Sequence, residues 1–423
     1  SASYDYTKSA SDKTAILTDW AKTNKDNEWS TDDISSFGPL LTSLNVAGSG
    51  VAAVSGSLVT TVISDNVKAY VSNSEIATAN GLDVKANSSR TTYDAIAAVA
   101  GSSTASVTVS GVTNVMDGDT TAKVEDSVIT QGDLTVDANS ENYLNSILIT
   151  ATGAGTGAAV SGVVDTNTIV NKVIASIKNT KVSNSDVKVN ATNNVNVNNL
   201  SAGGAGVGIG GAVTAIPVTN VFVGKTSASI EDSDFDNSSV TVIAKDIINT
   251  SEIIAGLAFT GMGGAVSGYD LTNVFDNDTL AFIENSRMTN SNGVSVSADS
   301  DIDVFGNIAS GSVSGVGADV MVNGLTTVIS NNVLSYLKDS SVAGGNVKVS
   351  ANQDTYIFDN ASSTGINGLG NSSAVNAVVH VIKSKVSALA QNNDLSDLEN
   401  ASGEESLKVS AKNNNDIYSN AVG

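Results

Sequence analysis

The chain of 423 residues contains no cysteine, one histidine, two prolines and two tryptophans, and aromatic residues make up only 4% of it. Without cysteine there is neither a disulfide framework nor a thiolate metal site. That absence suits a chain that crosses a membrane unfolded and must avoid cross-links on the way. A single histidine, His380, excludes a histidine cluster, and a triad around it would need Ser and Asp partners that the sequence does not place. It lies in the apolar run Val378-Val379-His380-Val381-Ile382, where an outward-facing strand position is expected. Basic residues are scarce as well: 21 Lys and Arg stand against 43 Asp and Glu, a formal net charge of −22. Nucleic acid and anionic membrane surfaces are therefore excluded as partners, because both need clustered positive charge. No apolar run approaches the ~18 residues of a membrane-spanning helix, and no signal peptide is present. The chain opens at Ser1 and both of its ends fall inside a repeat, so a processed product or a piece of a longer array is expected.

What is abundant is Val, Thr, Ser, Asn and Gly, a composition of strands and turns. One phrase organises it. Leu82-Asp83-Val84-Lys85-Ala86 returns as Leu134 to Ala138, Val187 to Ala191, Val240 to Ala244, Val294 to Ala298, Val347 to Ala351 and Leu407 to Ala411. The closing alanines are 52, 53, 53, 54, 53 and 60 residues apart. A second ladder runs Val71, Val124, Ile177, Ile230, Ile283, Leu337 and Leu389, and a third Thr60, Thr113, Thr166, Thr219, Thr272 and Thr326. Three ladders in step define a repeat protein, whose length counts modules rather than globular domains.

Each repeat alternates apolar and polar residues with a period of two, is interrupted by a Gly/Ala block such as Gly210-Gly211-Ala212-Val213, and closes on Glu231-Asp232-Ser233 or its equivalents. Asn-Gly pairs at Asn80-Gly81, Asn292-Gly293, Asn323-Gly324 and Asn367-Gly368 mark expected turns of positive φ. The fold expected is all-β, a parallel β-helix of about seven 53-residue repeats over residues 37–423, with Val, Ile and Ala inward and Ser, Thr, Asn, Asp and Lys facing water. Two rungs of about 26 residues per repeat, a rod of roughly 70 Å, are favoured over three shorter rungs. The Gly/Ala blocks serve close internal packing or sharp corners, with a flat partner-binding face as the alternative. The last, longer period places an exposed acidic loop near Asn392 to Glu405. Residues 1–36 depart from the pattern. Ser11 is a candidate N-cap and Ala15, Ile16, Leu17, Trp20 and Ala21 share one helical face, so a short amphipathic helix is expected there.

The Val-x-Val-x-Ala strands, the in-phase Gly-Gly-Ala-Val-Ser blocks and the Ala-x-Ile-x-Asn-Ser closures resemble those of large leukotoxin-type filamentous adhesins, and more loosely the filamentous-haemagglutinin class of β-helical exoproteins. The resemblance implies a right-handed β-helix shaft, secreted and displayed at the bacterial cell surface. It covers nearly all of residues 37–423 and carries no site residues onto residues 3–36.

Candidate chemistry is sparse. Paired carboxylates on β-helices serve polysaccharide-degrading enzymes, yet here the aromatic platforms and basic residues of such grooves are missing, and no enzyme is expected. Asp117-Gly118-Asp119, Asp232-Ser233-Asp234-Phe235-Asp236, Asp276-Asn277-Asp278 and Asp299-Ser300-Asp301-Ile302-Asp303 offer oxygen ligands for calcium, but none matches an EF-hand loop or a β-roll nonapeptide and no site is singled out. No other cofactor is implied. Tyr4, Tyr6, Trp20 and Trp29 either seal the side of the array or form a ligand-binding decoration on it. The expected function is a structural and adhesive shaft segment of a secreted bacterial surface protein, contacting a protein or glycan of a host or neighbouring cell. The alternative is a filament subunit that joins other copies of itself.

Overall fold

The computed structural model describes residues 40–78, 80–398 and 406–423. The expected N-terminal helix and Tyr4, Tyr6, Trp20 and Trp29 lie outside the described residues. Pro39–Gly423 forms one compact unit.

Every described regular element is a strand, and every pairing is parallel between one repeat and the next. One coil shows the plan. Leu134–Lys178 runs as a single extended strand of 45 residues that folds back on itself, an outgoing arm facing a return arm. Thr150 Oγ1 and Ser161 Oγ meet across the two arms at 2.7 Å, and Thr152 Oγ1 donates to the Val160 carbonyl at 3.1 Å. The chain then turns twice around the short strand Lys181–Ser183 and enters the next coil at Val187. The arms build a 12-stranded sheet and the short strands a separate 7-stranded sheet, which closes the wider end of the flattened coil. The molecule is a parallel β-helix.

The three ladders read from the sequence are true stacks with one exception. Ala86, Ala138, Ala191, Ala244, Ala298, Ala351 and Ala411 pair in succession, as do the threonines from Thr60 to Thr326. In the second ladder Leu337 pairs with Ala390, and Leu389 stacks on Tyr336 instead. The size of the rung also differs from expectation. Ala138 pairs with Ala86 and Ala191, a full repeat away on either side, so one repeat is one coil, not two. Eight coils span about 34 Å at ~4.8 Å per coil, half the expected rod. The Gly/Ala block looks in sequence like the boundary between rungs, whereas it is the tip at which one long strand folds over.

The tip explains its glycines. Gly157, Gly210, Gly263, Gly317 and Gly370 lie directly above one another. Gly210 and Gly263 both have φ of 134°, and a Cβ on either would overlap the carbonyl oxygen of the glycine below. This is the close internal packing expected of these blocks. At the opposite end the Glu-Asp-Ser closures are corners. Asp232 and Asn285 take positive φ of 53° and 51°, which Asp and Asn tolerate better than other residues with a Cβ. Ser233 Oγ donates to the Glu231 carbonyl at 2.7 Å and accepts from the Thr180 backbone N–H one coil below at 3.2 Å. Of the Asn-Gly pairs, Gly81 and Gly293 have positive φ, while Asn323-Gly324 and Asn367-Gly368 lie inside long strands. Asp394–Ser396 pairs with Ser341–Ala343 at the usual offset, so the extra residues of the last period fall between Ser396 and Leu407. Much of that stretch, residues 399–405, lies outside the described residues.

The interior is layered rather than uniformly apolar. From the wide end to the tip come an aliphatic cluster around Val136, Val189 and Val242, a second around Met116, Ile169, Phe222 and Phe275, a third around Leu148, Ile216 and Leu271, and small alanines at the tip. Phe222 and Phe275 stack with ring centroids 4.8 Å apart. Between these clusters lie buried Asn, Ser, Thr, Asp and Glu, contrary to the expectation that such residues face water. The inward side of each arm therefore alternates apolar and polar layers at a second, longer spacing.

Candidate functional site

Strand alternation disperses most of the acidic motifs. Asp117 and Asp119, like Asp276 and Asp278, are alternate residues on the outer face of one extended strand, with Gly118 or Asn277 turned inward between them. Asp299, Asp301 and Asp303 share the outer face of one extended strand, where alternate residues lie about 7 Å apart. Asp236 is occupied by Thr289 Oγ1 and Asn290 Nδ2 of the next coil, both at 2.9 Å, and Asp234 pairs with Arg287 Nε at 3.4 Å. None of these motifs gathers its carboxylates around one point. No group of three or more His, Cys, Asp or Glu with metal-holding geometry occurs among the described residues.

The densest chemistry is inside. Asn114, Asn167, Asn220 and Asn273 stack in one column, each side-chain N–H donating to the carbonyl of the next at 2.9, 2.9 and 2.8 Å. All four are fully buried. Facing them on the outgoing arm are Asp94, Ser146, Asn199, Glu252, Gly306 and Asp359, stacked in that order. Asn220 is the hub: its Nδ2 also donates to Glu252 Oε1 at 3.1 Å, and its Oδ1 also accepts from Asn199 Nδ2 at 3.2 Å. The column was legible in the sequence. Four of the six threonines of the third ladder are followed by an asparagine, in Thr113-Asn114, Thr166-Asn167, Thr219-Asn220 and Thr272-Asn273. With the threonines outside, a period of two sends the asparagines inside.

Burial controls the ionisation of the acids along this layer. It pushes Asp165 up to about 7, with the charge of Asp94 adding to the effect, and holds Glu252 well above the usual carboxylate range. In the neighbouring polar layer, toward the wide end, burial raises Asp246 to about 6, offset in part by the hydrogen bond from Asn193 Nδ2 at 2.7 Å. The same layer holds Arg90, whose guanidinium pairs with Asp65 and donates to Asn142 Oδ1 and Asn171 Oδ1 at 2.8 and 2.9 Å. Gly118 makes room for it, since a Cβ there would overlap the guanidinium.

His380 continues the asparagine column inward, its side chain 11% exposed, which corrects the outward position expected from its apolar run. Its Nε2 lies 2.7 Å from Ser419 Oγ and its Nδ1 3.5 Å from Asp359 Oδ2. The order Ser–His–Asp matches that of a catalytic triad. The electrostatics do not. Burial raises Asp359 to about 7 and lowers His380, so both drift toward their neutral forms, whereas a triad relies on an ionised carboxylate to stabilise imidazolium. Gly306, between Glu252 and Asp359, leaves the space that the Asp359 carboxylate fills, and a Cβ there would stand 2.5 Å from Asp359 Oδ1. These residues read as further members of the interior layer.

Among the described residues the outer surface has a shallow polar depression around Ser286, Ser340 and Asn392 and a shallow apolar one around Gly153, Gly204, Leu257 and Phe259. No helix long and apolar enough to cross a membrane occurs among the described residues. What this arrangement does chemically is specify register. A slip of one residue would turn the inward side chains outward, and a slip of two would set the amides against Met116, Ile169, Phe222 and Phe275, leaving buried donors unpartnered at about 1–3 kcal/mol each. No protein-family model, no curated protein and no solved structure matches the chain.

Proposed function

We propose that the chain is a structural and adhesive shaft segment of a secreted bacterial surface protein of the leukotoxin-type filamentous adhesin kind, holding binding elements away from the cell. One observation carries this reading: the residue-to-residue register runs unbroken through all eight coils, with the chemistry directed inward to hold the stack. Such a body is a spacer whose length is set by coil number. Its partner is a protein or glycan of a host or neighbouring cell, met by repeated outer faces or by residues 3–36, and multivalent weak contacts along the faces would add up.

The test has two arms. Deleting one unit, residues 187–239, should leave a folded protein shortened by about 4.8 Å. Binding of the full chain to epithelial cells or a glycan array should weaken when residues 3–36 are deleted. A full chain that binds no cell or glycan surface, or that releases fragments from a polysaccharide, would overturn the reading. A second reading, a filament subunit, is favoured by the column Val54, Val107, Val160, Val213, Val266 and Val320 on the outside of the return arm. It predicts concentration-dependent fibres by electron microscopy.

A further inference from the structure

One part of the interior polar layer is left unsatisfied in a patterned way. Asp94 is 2% exposed and Asp165 1%, while Asn114 and Ser146 are fully buried. Both carboxylate oxygens of Asp94, Asp165 Oδ2, Asn114 Oδ1, Ser146 Oγ and, at the floor, Thr61 Oγ1 lack a hydrogen bond of normal geometry, although Asn114 lies near enough to Asp94, and Ser146 to Asp165, to act as a partial donor. They belong to one neighbourhood. Ser146 stacks directly on Asp94, Asn114 stacks on Thr61 and under Asn167, and Asp165 Oδ1 accepts from Asn167 Nδ2 at 3.1 Å. The amide ladder accounts for one of these atoms: every Asn N–H is directed up the column, so the lowest carbonyl, that of Asn114, has no amide beneath it. Two coils higher than Asp94, the equivalent pair is Asn199 and Asn220, which bond to each other at 3.2 Å.

We propose that a calcium ion is held between these two coils by Asp94, Asp165, Asn114 and Ser146. Two carboxylates and neutral oxygens are hard ligands, and a dipositive ion cancels the two negative charges that otherwise share a dry layer. Hydration separates calcium from magnesium: magnesium demands octahedral geometry and keeps several waters, which an enclosed layer does not supply, whereas calcium takes protein oxygens in flexible geometry. With only two carboxylates, the site does not depend on the clustered acids of the surface motifs. Because it is enclosed, the ion enters as the coils stack and stays.

The experiment unfolds the full 423-residue chain in guanidinium with EGTA and refolds it with calcium chloride or with EGTA. Metal content after gel filtration and Tm are then measured. One calcium per chain is expected after refolding in calcium, with a higher Tm than the EGTA-refolded protein. Asp94→Asn/Asp165→Asn should carry none and show no calcium-dependent change in Tm, and Asp94→Asn alone serves if the double variant does not fold. Wild-type protein refolded in calcium that holds no calcium, or has the same Tm as in EGTA, overturns the proposal. So does a double variant that retains as much calcium as wild type, which would place the ion on exposed acids such as Asp299 and Asp301.

Discussion

Replacing Asn220 by leucine tests whether the interior amide column contributes stability or merely tolerates burial. Leucine has the same branched shape and number of side-chain heavy atoms, so no cavity confuses the outcome, and its bulkier methyls add overpacking in the same, destabilising direction. Three groups lose their only partners: Asn199 Nδ2, Glu252 Oε1 and Asn273 Oδ1. Asn167 Nδ2 keeps its bond to Asp165 Oδ1 and is spared. At about 1–3 kcal/mol for each orphaned buried group, the loss is roughly 3–9 kcal/mol, and burying the leucine side chain returns about 1.5–3 kcal/mol. Neighbours relax, which favours the lower half of that range, about 3–6 kcal/mol, and the mid-range difference is a net destabilisation of about 2 kcal/mol. Urea denaturation measures it, and native-state hydrogen exchange shows where it falls: protection should drop in the coils that hold Asn167, Asn220 and Asn273, and less in coils farther away. An unchanged or raised urea midpoint would refute the argument and make the column a specificity device with no stabilising role.

The glycine tip makes a paired prediction: Gly263→Ala, at φ of 134° and against the Gly210 carbonyl, should cost about 1–3 kcal/mol, whereas Gly204→Ala, which meets nothing within 4 Å, should leave the urea midpoint within error. Asp246 predicts a pH dependence. Its folded pKa of about 6 lies above the ordinary aspartate value of 3.8, so its contribution is fully present below 3.8 and lost as pH rises through 6, at up to ~1.4 kcal/mol per pH unit. Between pH 5.0 and 7.5 the wild-type midpoint should fall more than that of Asp246→Asn, and parallel curves would contradict the assigned burial.

Much of the fold was legible because stacking is a one-dimensional constraint. A residue that suits one level of a parallel column suits the next, so Ala86 to Ala411 and Thr60 to Thr326 write the architecture into the sequence as a period. The Asn114 column was legible too, one residue beyond the threonines, but polar residues were expected outside and its inward direction followed only from strict alternation. The misplaced Leu389 has a similar origin: hydrophobic type is shared by Leu389 and Ala390, and only the pairing of Leu337 with Ala390 decides which of them faces the core.

By itself, then, the sequence determined the repeat, its parallel stacking, the glycine blocks as points of close approach and the lack of a histidine or cysteine metal centre. Each is a statement about residue type at a fixed interval. Tertiary structure alone decided that one repeat makes a single coil, because a strand folding over at Gly210 and a strand ending there leave the same alternation on either side. It alone decided that Asp94 meets Asn114 across the coil, that Arg90 fills the space left by Gly118, and that His380 lies between Asp359 and Ser419. Those contacts join residues from facing arms and different coils, and their distances depend on how flat the coil is. No period along the chain records that flatness; it is set by side-chain volumes packed between the two arms.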